Sequence, residues 1–131
     1  MRALAALLSA TGPGPALADP PLTGAEFDAL TLGRSMTWSE FGMFYGVEHY
    51  LPNRQVLWAA AGRDCTPGHW YEDGPAICFK YETDRDPDCW IITRSAQGFS
   101  ASYTTSPPGT EPVVVAETPD PPACPGPEVG T

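Results

Sequence analysis

The chain has 131 residues and carries seven basic against sixteen acidic side chains, a formal charge of −9 with both histidines neutral. A polyanion is repelled by nucleic acid and by anionic lipid head groups, so neither is an expected partner. No apolar stretch is long enough to cross a bilayer as a helix, and the length supports one domain with a modest core.

Residues 1–18 read as an export signal. Arg2 gives a positive start, Ala3 to Leu8 an apolar stretch, and Ala16-Leu17-Ala18 a small-x-small cleavage site before Asp19. Gly12-Pro13-Gly14-Pro15 interrupts the apolar stretch, as it would if the signal began upstream of Met1. Cleavage after Ala18 removes one charged residue, Arg2, and leaves 113 residues with charge −10. The expected location is periplasmic or extracellular.

The expected domain covers residues 19–105. Thr23 as N-cap and Glu26 three residues on form a capping box, with Leu22 and Phe27 placed for a hydrophobic staple. The helix should end near Leu32 with Gly33 as the C′ residue, and Phe27, Leu30 and Leu32 should face the core. From Met36 onward the pattern is strand-like. Strands are expected near Phe44–Tyr50, Gln55–Ala60, His69–Glu72, Ile77–Glu82, Cys89–Thr93 and Phe99–Thr104. Leu51-Pro52-Asn53-Arg54 and Asp73-Gly74 are turn signals. Close spacing implies an antiparallel meander. The fold class is therefore mainly β: a half-barrel or small closed barrel, with one short N-terminal helix against it and disulfides holding it. Residues 106–131 contain eight prolines and no aromatic residue, and are expected to be an extended, poorly ordered tail in which Val113-Val114-Val115 could add an edge strand.

Four cysteines in a small exported domain suggest two disulfides. If the turn after Ile77–Glu82 centres on Thr83-Asp84, residues whose numbers sum to 167 face each other, as Cys78 and Cys89 do. That register pairs Cys78 with Cys89 and leaves Cys65–Cys124 to tether the tail. If all of residues 83–88 is loop, Cys78 lies four residues out of register, roughly 13 Å away at about 3.3 Å per residue. Cys65 with Cys89 is then the alternative. The cysteine spacings do not match the close pairs of a structural zinc site, and no metal or other cofactor is expected.

Chemistry-bearing residues are sparse. On a strand, Glu48 and His49 point to opposite faces, so they form no local dyad. His69 adjoins Trp70 and Tyr71. Ser39, His49 and Glu40 could supply a hydrolytic site, but no nucleophile elbow, P-loop or paired-histidine motif occurs. Asp84, Asp86 and Asp88 alternate as in a calcium loop, without the glycine and later glutamate such a loop needs. No residue is assigned as catalytic. Four tryptophans, five tyrosines and five phenylalanines fill a core or line a groove for a partner or an apolar ligand. Phe41, Phe44, Tyr45, Trp70 and Tyr71 are the candidate surface.

Taken together, Leu22-Thr23-Gly24 with Phe27 and Leu30, Tyr45-Gly46-Val47-Glu48 with Tyr50, and Leu51-Pro52-Asn53-Arg54 resemble small exported domains of alphaproteobacteria whose function is unknown. So do Gly68-x-Trp70, Ile77-Cys78-Phe79-x-Tyr81 and Cys89-Trp90. The resemblance spans Leu22 to Tyr103 and implies an envelope or extracellular location and a compact β-domain. It supplies no catalytic residue. The expected function is a non-enzymatic binding or interaction module, with an envelope protein as a possible partner. The alternatives are an inhibitor of a basic hydrolase such as lysozyme, or a small hydrolase using His49 or His69.

Overall fold

In a computed structural model, residues 19–120 with Pro122 and Cys124 are described. The expected signal, residues 1–18, lies outside them. A helix, α1 (Gly24–Thr31), precedes eight strands: β1 (Ser35–Glu40), β2 (Met43–Tyr50), β3 (Gln55–Ala60), β4 (Cys65–Asp73), β5 (Ala76–Tyr81), β6 (Asp88–Ser95), β7 (Gly98–Tyr103) and β8 (Val113–Thr118). Each strand pairs antiparallel with the next, and β8 pairs back onto β1 to close the ring.

The helix begins as its sequence dictates. The Thr23 hydroxyl accepts from the Glu26 N–H and the Glu26 carboxylate accepts from the Thr23 N–H, satisfying two otherwise unpaired donors. Gly33 at φ 75° supplies the left-handed exit. Phe27 is fully buried. Its ring meets Tyr50 and Trp70 edge-on, at centroid distances of 5.4 and 5.0 Å, and lies 6.2 Å from both Phe79 and Phe99. The Leu22 N–H donates to the Ile92 carbonyl at 2.7 Å, tying the chain before α1 onto β6. The helix thus stoppers one end of the barrel. Leu32, expected in the core, is instead 47% exposed, because the chain leaves the helix axis there.

Alternation along the strands separates the faces. Met36, Trp38, Tyr50, Val56, Trp70, Phe79, Trp90, Ile92, Phe99, Ala101, Val113 and Val115 belong to one buried cluster. Gln55, His69 and Arg94 project from the outer surface. An apolar interior with polar exterior positions is the reverse of a lipid-embedded barrel. No helix among the described residues is long and apolar enough to cross a membrane.

The Thr83-Asp84-centred register is the one observed. Ile77 faces Trp90, Cys78 faces Cys89 and Phe79 faces Asp88, and disulfides join Cys78 to Cys89 and Cys65 to Cys124. Two expectations need correction. Ser35–Glu40 is a full strand, which the serine, threonine and glutamate between its apolar residues obscured. Residues 113–118 are not part of a loose tail but the closing strand. A boundary at residue 105 would therefore cut the barrel open. Proline flanks this strand at 112 and 119 without entering it, so its ladder donors remain intact.

The Cys65–Cys124 bond closes a sequence separation of 59 residues and the Cys78–Cys89 bond one of 11. On the chain-entropy relation, replacing the first pair by serine should lower unfolding free energy by about 4 kcal/mol, and replacing the second by alanine by about 3 kcal/mol. Urea denaturation of the two double variants measures both. Equal losses would show that loop size does not govern the effect.

Candidate functional site

The strand ends opposite α1 carry the turns at residues 41–42, 61–64, 82–87 and 104–112, and no helix covers them. Here the barrel holds a cavity of about 490 Å³. Ligand pockets fall in the range of about 300–1,000 Å³. Eight strands enclose an interior just wide enough either to be filled by side chains or to hold one small ligand. This chain is filled by side chains at the α1 end and leaves open space at the other. Ala60, Thr66 and Ala101 are the small residues at the cavity wall that leave the space.

The rest of the wall is aromatic and rigid. Trp90 stacks on Tyr103 with centroids 3.7 Å apart, and Trp38 lies 5.2 Å from Trp90. Phe79 and Tyr81 lie nearly parallel at 6.5 Å. Two glycines seat the large rings. A Cβ at Gly46 would come within 2.8 Å of the Trp58 ring, and one at Gly68 within 2.6 Å of the Tyr81 ring and 2.7 Å of the Lys80 carbonyl. A bulge completes the rim. The β1–β2 register shifts after Trp38, so Gly46 faces Trp38 and Phe44 faces Ser39, leaving Tyr45 without a ladder partner. The extra residue turns Tyr45 toward the mouth, where its hydroxyl donates to Glu40.

Behind this wall lies a buried polar group. Glu48 is 1% exposed and points inward between Gly46 and Tyr50. The Tyr81 hydroxyl donates to Glu48 Oε1 at 2.7 Å, while Glu48 Oε2, the Tyr50 hydroxyl and the Trp38 indole N–H have no hydrogen-bond partner among the described residues. Trp38 lies near enough to Tyr50 to favour its phenolate, yet outside hydrogen-bonding geometry. Burial, only partly offset by the Tyr81 hydrogen bond, pushes the Glu48 pKa up to about 8. The acid is therefore mostly neutral at pH 7. Burial and then the Glu48 charge raise the Tyr50 and Tyr81 phenols well above their ordinary value. Trp38 and Tyr81 belong both to this cluster and to the cavity wall.

The residues expected from sequence separate into two groups. Phe41, Phe44 and Tyr45 are 75%, 50% and 41% exposed, and with Met43 they make an apolar hairpin tip at the mouth. Trp70 does not join them. It is 2% exposed, packed inside against Phe27 with the Arg54 guanidinium 4.4 Å from its ring, so it cannot form a partner surface. Tyr71 is half-buried on the outer face, beside His69. Glu48 and His49 do take opposite faces. His49 Nδ1 lies 2.8 Å from the Ser35 hydroxyl, rather than from Ser39, while Glu40 bonds Tyr45. Asp84 and Asp88 line the cavity. No group of three metal-ligating side chains occurs among the described residues. The sequence reading missed Trp38, Glu48, Trp58, Tyr81, Trp90 and Tyr103 as a set. The usable signal was a glutamate on the same strand face as Gly46 and Tyr50.

Compared with known protein families, with curated proteins and with solved structures, the chain matches none.

Unfolded, Glu48 releases its proton near 4.5; folded, it does so near 8. Between those values the folded state holds one more proton, so this group's stabilising contribution is complete below pH 4.5 and is lost as pH rises through 8. Urea midpoints should therefore fall between pH 5 and pH 8 in the native protein by an amount worth several kcal/mol, at about 1.4 kcal/mol per pH unit. Glu48→Gln keeps the Tyr81 hydrogen bond and should flatten that slope. An unchanged slope in the variant would place the titration elsewhere.

Proposed function

We propose that this protein is a non-enzymatic binding module, exported to the periplasm or beyond, that holds a small, largely apolar ligand in the open end of its barrel. The carrying observation is the cavity of about 490 Å³ walled by Trp38, Trp58, Tyr81, Trp90 and Tyr103. Rings stacked on one another and seated over glycines are pre-organised, so little rotamer entropy is lost when a planar ligand enters. Two disulfides support an oxidising compartment. The Ser35–His49 pair sits on the outer face of the barrel and has no carboxylate hydrogen-bonded to it among the described residues. That arrangement favours binding over hydrolysis.

The neutral dye N-phenyl-1-naphthylamine should bind one per chain, with a dissociation constant in the micromolar range read from its fluorescence. Ala60→Phe, which fills the cavity, should abolish binding, and Trp58→Ala should weaken it about tenfold. Ser35→Ala and His49→Ala should leave it unchanged. Saturation unaffected by Ala60→Phe would remove the cavity from the account.

One feature favours a second reading, the inhibition of a basic hydrolase. Phe41 stands at the hairpin tip, 75% exposed, beside Glu40. An apolar anchor with adjacent negative charge suits a cationic active-site rim. Lysozyme turnover should then fall in proportion to added protein, and Phe41→Ser should relieve it. Turnover unaffected by a tenfold excess would remove this reading.

A further inference from the structure

We infer that the cavity selects an organic cation: an apolar, ring-bearing ammonium rather than a neutral or anionic molecule of the same shape. This rests on the cavity reading above and adds the charge of the occupant. Glu40, Asp64, Asp84, Asp88 and Glu111 line the mouth, and Arg63 is the one basic residue among the described residues that joins them. Of the other basic side chains, Arg85 stands exposed in the turn after Asp84, outside the cavity lining and in no ion pair among the described residues. At the α1 end Arg34 pairs with Glu117 at 3.0 Å, Arg54 with Glu72 at 3.4 Å and Arg94 with Glu26 at 3.7 Å. Lys80, on β5, turns its ammonium to the backbone carbonyls of Tyr81 and Asp84. Among the described residues no ion pair neutralises a mouth carboxylate.

Asp64, Asp84 and Glu111 are exposed, whereas Asp88 is partly buried. Burial and then the neighbouring Asp84 raise the Asp88 pKa, so its charge is poorly hydrated and gains from a counter-ion. Burial and then the neighbouring Asp88, Tyr45 and Glu40 raise the Tyr103 phenol, whose ring is stacked on Trp90. Glu40 and Asp88 thus share the cavity lining with Trp90 and Tyr103. A cation above Trp90 and Tyr103 meets ring quadrupole and carboxylate together, each worth more where water is partly excluded. The inner end suits the apolar part of such a ligand, because Trp38 and Phe79 line it and Glu48 behind them is mostly neutral at pH 7. A carboxylate-bearing ligand would meet five like charges before reaching any of these groups.

Calorimetric titration of the full chain at pH 7 with three naphthalene probes of one shape tests this. They are 2-(1-naphthyl)ethylammonium, 2-(1-naphthyl)ethanol and 1-naphthylacetate. At low salt the ammonium should bind at least about tenfold tighter than the alcohol, with the acetate weakest. Raising salt to about 0.5 M should shrink that advantage to a few-fold. The double variant Asp84→Asn/Asp88→Asn should lose most of it while holding the alcohol's affinity within about twofold. An alcohol that binds as tightly as the ammonium, or an acetate that binds best, overturns the inference. If none of the three binds while N-phenyl-1-naphthylamine still does, the cation preference falls and the cavity reading stands. If the neutral dye also fails, both fall together.

Discussion

Closure of the ring is the constraint on which the rest depends. β8 lies along β1 with Val115 opposite Trp38 and Ala116 opposite Thr37, and this pairing removes the last free sheet edges. With eight strands the interior width is set, and only the choice of inward side chains decides whether a given layer is solid or hollow. Near α1 the layer is solid, because Tyr50, Trp70, Phe79 and Phe99 converge on one phenylalanine from outside the ring. Further along, Gly46, Gly68 and Ala101 stand where bulky residues would fill the space, and the large rings lie back over the glycines. The cavity follows from closure plus this graded side-chain volume.

A buried carboxyl in such a structure is costly unless it serves something. The neutral acid avoids the largest penalty, that of an unpaired buried charge. It still leaves Glu48 Oε2, the Tyr50 hydroxyl and the Trp38 N–H without partners inside the barrel. A purely structural core would replace this trio with apolar side chains of the same size at little cost or with gain. Trp38 and Tyr81 connect this cluster to the cavity wall, while Glu48 and Tyr50 lie behind it, outside the lining.

The parts of the fold that could be read in the amino-acid sequence are those with local causes. The capping box at Thr23 and Glu26, the glycine exit at Gly33, the strand Gln55–Ala60 and the Cys78–Cys89 register each follow from residues close in sequence. What escaped depends on distant partners. Val113–Thr118 is a short apolar run in proline-rich chain, and only its pairing with β1 and β7 makes it structural. Trp70 reads as one more aromatic residue beside Tyr71. Its burial against Phe27 requires knowing that the helix lies across the barrel end. The site escaped for the same reason. Trp38, Trp58, Tyr81, Trp90 and Tyr103 come from five different strands, and no short window contains their meeting. Glu48 was read for its relation to His49, one residue away, when its partner is Tyr81, across the barrel.

The disulfides complete the division between the two ends. At the α1 end the strands are held by packing, by the Leu22–Ile92 hydrogen bond and by three ion pairs. The mouth has no such plug, and its side-chain volume has been given up to the cavity. Covalent bonds act there instead. Cys65 opens β4 at the rim and is bonded to Cys124 beyond β8, while Cys89 stands one residue inside β6, bonded across the hairpin to Cys78. The Cys78–Cys89 link joins the strands that carry Tyr81, Asp88 and Trp90, and the Cys65–Cys124 link holds the start of β4 beside them; none of the four cysteines lines the cavity. A hollow layer cannot be stiffened by filling it, so its rigidity must come from the wall. Cross-links within the wall are a means of holding aromatic faces in position while the interior stays open.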